Sequence, residues 1–109
     1  MERRNEPRVE VSHPVIYFPD VYPRPKIAKT VDLSMGGTKI ESQYSLTKDE
    51  GLALTICTDS EVVKCRGKVV YVIDSEVDKL HAGIRFEELS KGDELYLRQY
   101  LFYIIEQRA

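Results

Sequence analysis

The sequence predicts a mainly β fold, a six-stranded antiparallel β-barrel followed by one C-terminal α-helix. Three observations lead there. Short apolar runs alternate with polar residues at a period of two through most of the chain. Proline, glycine and Asp/Ser clusters interrupt those runs at similar intervals. Only after Ser90 does the apolar spacing become that of a helix. With 109 residues the chain makes one domain with one modest core.

The first run, "RVEVSHPVIYF" from Arg8 to Phe18, places Val9, Val11, Val15 and Tyr17 on one face of an extended segment. "PDVYPRP", Pro19 to Pro25, holds three of the five prolines and is a loop. A second strand spans about Lys26 to Leu33, and a short third spans Thr38 to Ser42. "GLALTIC" and "EVVKCRGKVVYVI" read as a hairpin turning through Asp59 and Ser60. In that register Ile56 faces Val63 and Leu54 faces Cys65. Leu52, Leu54, Ile56, Val63 and Cys65 then share the buried face while Cys57 lies on the other. A slip of one residue would destroy the agreement.

The last strand, "KLHAGIRFEEL", turns Leu80, Ala82, Ile84 and Phe86 inward and Lys79, His81 and Arg85 outward. Ser90 followed by Asp93 resembles an N-terminal cap, and a helix runs from Lys91 to Gln107. Its core stripe is Leu97, Leu101 and Ile104. Leu95 and Phe102 project nearly opposite, with Tyr96 and Tyr103 between. Either the helix is wedged deep against the barrel, or it offers a second apolar surface to a homodimer mate or another protein partner. The domain plan is an arginine-rich flexible arm over 1–8 and a barrel domain over 9–109.

A net charge of −2 provides no bulk basic field for long nucleic acid. No apolar run approaches the roughly 20 residues of a membrane span. The arginine pair near Met1 is followed by no apolar segment, so the expectation is a cytoplasmic protein without an export signal. The arm starts so abruptly at Met1 that excision from a longer protein is an equally natural reading. Both cysteines are expected free, because the hairpin register keeps their thiols apart. No paired Cys or His spacing offers a metal site.

Two short segments carry the chemistry. "RRNEPR" packs Arg3, Arg4 and Arg8 into six residues, and Pro7 discourages a helix there. Guanidinium groups grip phosphate through two parallel hydrogen bonds and stack on bases. The plainer reading is a solvated chain end diluted by Glu2 and Glu6. "DLSMGG" sets Asp32 and Ser34 two apart before Gly36 and Gly37. Alone this reads as a hairpin turn with polar punctuation, its glycines allowing positive φ or close backbone approach.

Together, Arg-Arg-x-x-x-Arg before the first strand and Asp-x-Ser-x-x-Gly after the second resemble the PilZ domain family, bacterial receptors for cyclic di-GMP. The resemblance extends to "AGIRFEEL" and the C-terminal helix, so it covers nearly the whole chain. It implies a six-stranded barrel and a mobile arm that wraps over the nucleotide. Arg4 and Arg8 would match the two defining arginines, gripping phosphate and stacking on guanine. Asp32 would accept hydrogen bonds from a guanine edge, Ser34 would bond base or phosphate, and both would face outward from the barrel. Gly37, beside Gly36, would let the backbone pass close under the ligand. Arg3, just ahead of the arginine pair, goes in this family with an intercalated dimer of the nucleotide. Arg85 and His81 would be accessory contacts, unless they are simply solvated strand positions.

The implied protein is a receptor that signals to a partner when the ligand orders the arm, with no cofactor beyond cyclic di-GMP. The rival readings are weaker or less specific. Ser34, Asp32 and His13 or His81 supply the residue types of a hydrolase triad, but without a nucleophile-elbow context. A single-strand binder would want a basic groove with exposed aromatics. The closest alternative is a PilZ-type interaction module that binds no nucleotide. Family members of that kind lack the two motifs, which are intact here.

Overall fold

The computed structural model describes residues 7–109, so Arg3 and Arg4 lie outside the described residues. Six strands and one helix follow one another: β1 (Pro14–Pro19), β2 (Lys26–Leu33), β3 (Gly37–Ser42), β4 (Gly51–Cys57), β5 (Val62–Glu76), β6 (Lys79–Leu89) and α1 (Lys91–Arg108). The strands close into a barrel in the order β1-β2-β3-β6-β5-β4, and every pairing is antiparallel. Pairing β1 with β4 leaves no strand edge for another chain to extend.

Alternation fills the interior. Val15, Tyr17, Ile40, Leu52, Ile56, Val63 and Val69 are fully enclosed. Tyr17 is the largest of them, and its hydroxyl meets the Ser42 Oγ at 2.8 Å. A buried phenol without such a partner would cost a desolvated hydroxyl. The β4–β5 hairpin has the register expected from its sequence, with Leu54 opposite Cys65 and Ile56 opposite Val63. The turn at Asp59 and Ser60 is closed by the Thr58 N–H donating to the Glu61 carbonyl at 2.9 Å. Both cysteines are free, as expected.

The first strand is shorter than its pattern predicts, starting at Pro14 rather than Arg8. Val9 makes a two-bond bridge with Leu33, at 2.9 Å each way. Before Pro14 the ladder is mixed, the His13 carbonyl accepting the Thr30 N–H at 2.9 Å while neighbouring backbone groups turn to the Thr30 side chain. The Thr30 Oγ1 accepts from the His13 N–H at 2.9 Å and donates to the Val11 carbonyl. That hydroxyl intercepts the groups an ordinary strand would pair, and Pro14 has no N–H to give.

Ser90 caps α1, its Oγ accepting the Asp93 N–H at 3.0 Å. Asp93 does not return the bond to Ser90, but accepts the Lys64 N–H of β5 at 3.3 Å. Leu97, Leu101 and Ile104 are buried on the barrel, whereas Leu95 and Phe102 are 53% and 62% exposed. The helix is therefore docked by one stripe and carries a second apolar surface, rather than being wedged deep. Tyr96 meets the Thr58 Oγ1 at 2.6 Å and Tyr100 meets the His13 Nε2, so two phenols tie the docked side to the barrel. No helix among the described residues is long and apolar enough to cross a membrane.

Burial pushes the Cys65 thiol from the ordinary 9.0 up to about 12, with the Asp93 charge adding to it. The folded state thus holds a proton that the unfolded chain releases. Stability from this group is complete below pH 9 and is lost as the pH rises toward 12. Denaturant titrations across that range should show falling unfolding free energy, with a shallower decline in Cys65→Ala. At neutral pH, a thiol-reactive dye should label half-exposed Cys57 quickly and Cys65 only on unfolding. Equal labelling rates would contradict the assigned burial.

Candidate functional site

A period-two strand carrying Ala28 and Thr30 inward would also send Asp32 inward. It does not, because Val31 is an extra residue in β2. Thr30 pairs with Ile40, but Asp32 pairs with Lys39, whose neighbours Thr38 and Ile40 fill the interior. The bulge reverses the parity of the strand and brings Asp32 to the outer face. There the Asp32 Oδ1 accepts from the Lys39 N–H at 3.2 Å and from the Arg8 guanidinium, also at 3.2 Å. The carboxylate is only 12% exposed, while Arg8 is 63% exposed with donors open to solvent. Asp32 thus faces outward as expected, but beneath Arg8 rather than bare.

Ser34 departs further from expectation. It is buried, and its Oγ closes the turn by accepting the Gly36 N–H at 3.3 Å and the Gly37 N–H at 3.2 Å. It also lies 3.2 Å from the Gly37 carbonyl. The plainer reading of the motif, a polar hairpin turn, therefore describes Ser34 accurately. Gly37 is a glycine for a reason internal to the barrel. A Cβ there would sit 2.1 Å from the Ile84 carbonyl oxygen of β6, and its φ is not positive. The close approach that requires glycine here is to the neighbouring strand β6.

Across β6 a second bulge repeats the device. Val69 pairs with Ile84 and Tyr71 with Gly83, leaving Val70 as the extra residue in β5. Tyr71 is turned outward onto Gly83, where a Cβ would lie 2.2 Å from its Cε2. The pairings Asp32–Lys39, Lys39–Gly83 and Gly83–Tyr71 form one continuous row across four strands.

Beside this row lies a pocket of about 190 Å³. Arg8, the turn residues Ser34, Gly36 and Gly37, and Tyr71 and Arg85 are among the residues that line it. The Phe86 N–H donates to the Gly36 carbonyl at 2.9 Å and pins the turn to β6. Two guanidinium groups flank the opening, Arg85 being paired with Glu87 at 3.5 Å in solvent. The guanidinium donors and polar backbone of the site suit a ligand with many donors and acceptors.

His81 is not among the lining residues. Its Nε2 lies 3.3 Å from Glu41, which also faces Lys29 and Lys79. The His81 hydrogen bond, with smaller help from the lysines, holds the Glu41 carboxyl below its usual range. His13 is taken by Tyr100 and Ser34 by its own turn, so these residues form no hydrolytic arrangement. Sequence reasoning missed Val70, Tyr71 and Gly83. The available signal was Gly83, a glycine inside an otherwise alternating strand, which marks a bulge or close approach.

Comparison with known proteins bears on the fold. The fold superposes on the Bacillus subtilis inhibitor of motility (MotI/DgrA) with a TM-score of 0.83 at 20% identity, covering 100% of this chain and 55% of that one. The PilZ domain of YcgR from Escherichia coli, solved with c-di-GMP, gives 0.77 at 14% identity over 98% and 95% of the two chains. The MrkH–c-di-GMP complex of K. pneumonia gives 0.75 at 17% identity over 99% and 54%. The chain spans about half the length of MotI and MrkH. No curated protein matches the sequence. A family model for the PilZ domain matches residues 2–103. With that match over most of its length and the six-stranded barrel described above, the chain belongs to the PilZ domain family.

Proposed function

We propose that this protein is a bacterial cyclic di-GMP receptor acting in the cytoplasm, and not an enzyme. One observation carries the reading: the Asp32 carboxylate holds Arg8 at a pocket that Arg85 also lines. The anion-binding half and the base-reading half of a nucleotide site are thereby adjacent. The c-di-GMP complexes of YcgR and MrkH, which share the fold, support the same ligand.

The roles follow from chemistry. Both bonds that Asp32 accepts among the described residues fall on Oδ1, which leaves Oδ2 for the N–H edge of guanine. Arg8, with Arg4 and Arg3 from the arm, grips phosphate and stacks on guanine. Ser34 acts chiefly by holding the turn, since its oxygen already serves two N–H groups. Gly36 and Gly37 contribute backbone at the pocket floor. Arg3 adds a third guanidinium, and two intercalated nucleotides per protomer would need that extra neutralisation.

Signalling then consists of ordering the arm. Fixing its backbone costs about 1–2 kcal/mol per residue. Charge-assisted hydrogen bonds of roughly 1.5–3 kcal/mol each offset that cost. Arg8 also lines a groove with Ile105 and Arg108 at the end of α1, so an ordered arm would alter the surface beside the helix. A second reading, a nucleotide-independent interaction module or homodimer, is favoured by the exposed Leu95, Phe102 and Tyr103.

Calorimetric titration with cyclic di-GMP should give saturable binding that Asp32→Ala removes. Absence of binding by the wild type would leave the interaction-module reading. Arg8→Ala should weaken affinity on the order of 10- to 100-fold, and an unchanged constant would contradict its phosphate role. Arg3→Leu should lower the molar ratio from two nucleotides to one. A ratio unaffected by that change would end the proposed link between Arg3 and stoichiometry.

A further inference from the structure

We infer that the outward face of α1 is the contact surface of an antiparallel homodimer, in which the helices of two copies pack about a twofold axis between Arg98 and Gln99. The inference is independent of the nucleotide reading. It gives the exposed apolar side chains of the helix one occupant and one register.

Helix periodicity selects the face. At 3.6 residues per turn, Lys91, Leu95, Arg98, Gln99, Phe102 and Glu106 fall within an arc of about 100°. All six are exposed. The buried stripe of Leu97, Leu101 and Ile104 lies on the other side of the helix and holds it to the barrel. A second helix laid on the outward face therefore puts the two barrels on opposite sides of the helix pair.

The order of residues on this face commits it to a second copy. From Lys91 to Glu106 the sequence intervals are 4, 3, 1, 3 and 4, the same read in either direction. A twofold contact pairs residue i with residue j and j with i. An antiparallel mate centred between Arg98 and Gln99 thus sets its Phe102 against Leu95, and its Leu95 against Phe102. At each end Lys91 meets Glu106 of the second copy, so opposite charges pair. Arg98 falls against Gln99 of the second copy rather than against its own counterpart, and Glu94 already pairs with it at 3.5 Å. A parallel mate would instead bring Lys91 to Lys91 and Glu106 to Glu106. The face is complementary to itself in one direction, which is also the direction that opposes the two helix dipoles. Contact is confined to one helix of 18 residues, about 27 Å long, so the dimer is a reversible one.

Sedimentation equilibrium of the whole chain, from micromolar to millimolar protein, tests the dimer, and circular dichroism checks that each variant folds. The wild type should pass from monomer to dimer as concentration rises. Phe102→Glu, at an exposed position away from the buried stripe, should stay monomeric. Lys91→Glu and Glu106→Lys should each weaken association about 10-fold, and the double variant that exchanges the two charges should restore it. An acid in the first turn and a base in the last both suit the helix dipole, so neither loss comes from a weakened helix. A wild type that remains monomeric throughout overturns the inference, as does a dimer undiminished in Phe102→Glu. A double variant that associates no better than the single ones overturns the antiparallel register.

Discussion

A side chain on a closed β-barrel has two destinations, the packed interior or the outer surface, and strand parity decides between them. The barrel and its surface pocket depend on that constraint. Tyr17, Leu52, Leu54 and Ile56 fill the barrel because β1 and β4 keep strict alternation. Asp32 and Tyr71 reach the outer face because β2 and β5 break it beside them, at Val31 and Val70. The breaks fall at equivalent heights on β2 and β5, on either side of β3 and β6, so both re-aimed side chains join one row. A regular barrel with the same residues would bury a carboxylate and lose its site.

The helix follows a different logic. Its apolar stripe docks it, but polar tethers select its position: Tyr96 to Thr58, Tyr100 to His13, and Asp93 to the Lys64 backbone. Burial raises the Tyr100 pKa above its ordinary value, with the Asp59 charge contributing. These bonds require defined partners, whereas an all-leucine contact would permit sliding. The opposite face of the helix has no such tethers and shows aromatic and aliphatic side chains to solvent.

Most of the barrel was legible in the sequence because alternation is a local signal. The β4–β5 register could be derived because only one pairing put five apolar residues on one face. The helix cap was legible for a similar reason, since Ser90 and Asp93 are three residues apart. The length of β1 was not, because the Thr30 hydroxyl that ends its ladder belongs to another strand. Asp32, Ser34, Gly36, Gly37 and Arg8 were singled out by motif, and the structure brings them to one locality. What the motif hid was the division of labour among them. Tyr71 escaped because its outward aim depends on a bulge that no two-residue period encodes.

Gly37 meets its steric limit at the Ile84 carbonyl, and Ser34 spends its oxygen on the turn above it. Two letters of the Asp-x-Ser-x-x-Gly signature are thus architectural, serving the joint between β3 and β6 whether or not a nucleotide is present. Selection for the fold alone would preserve them.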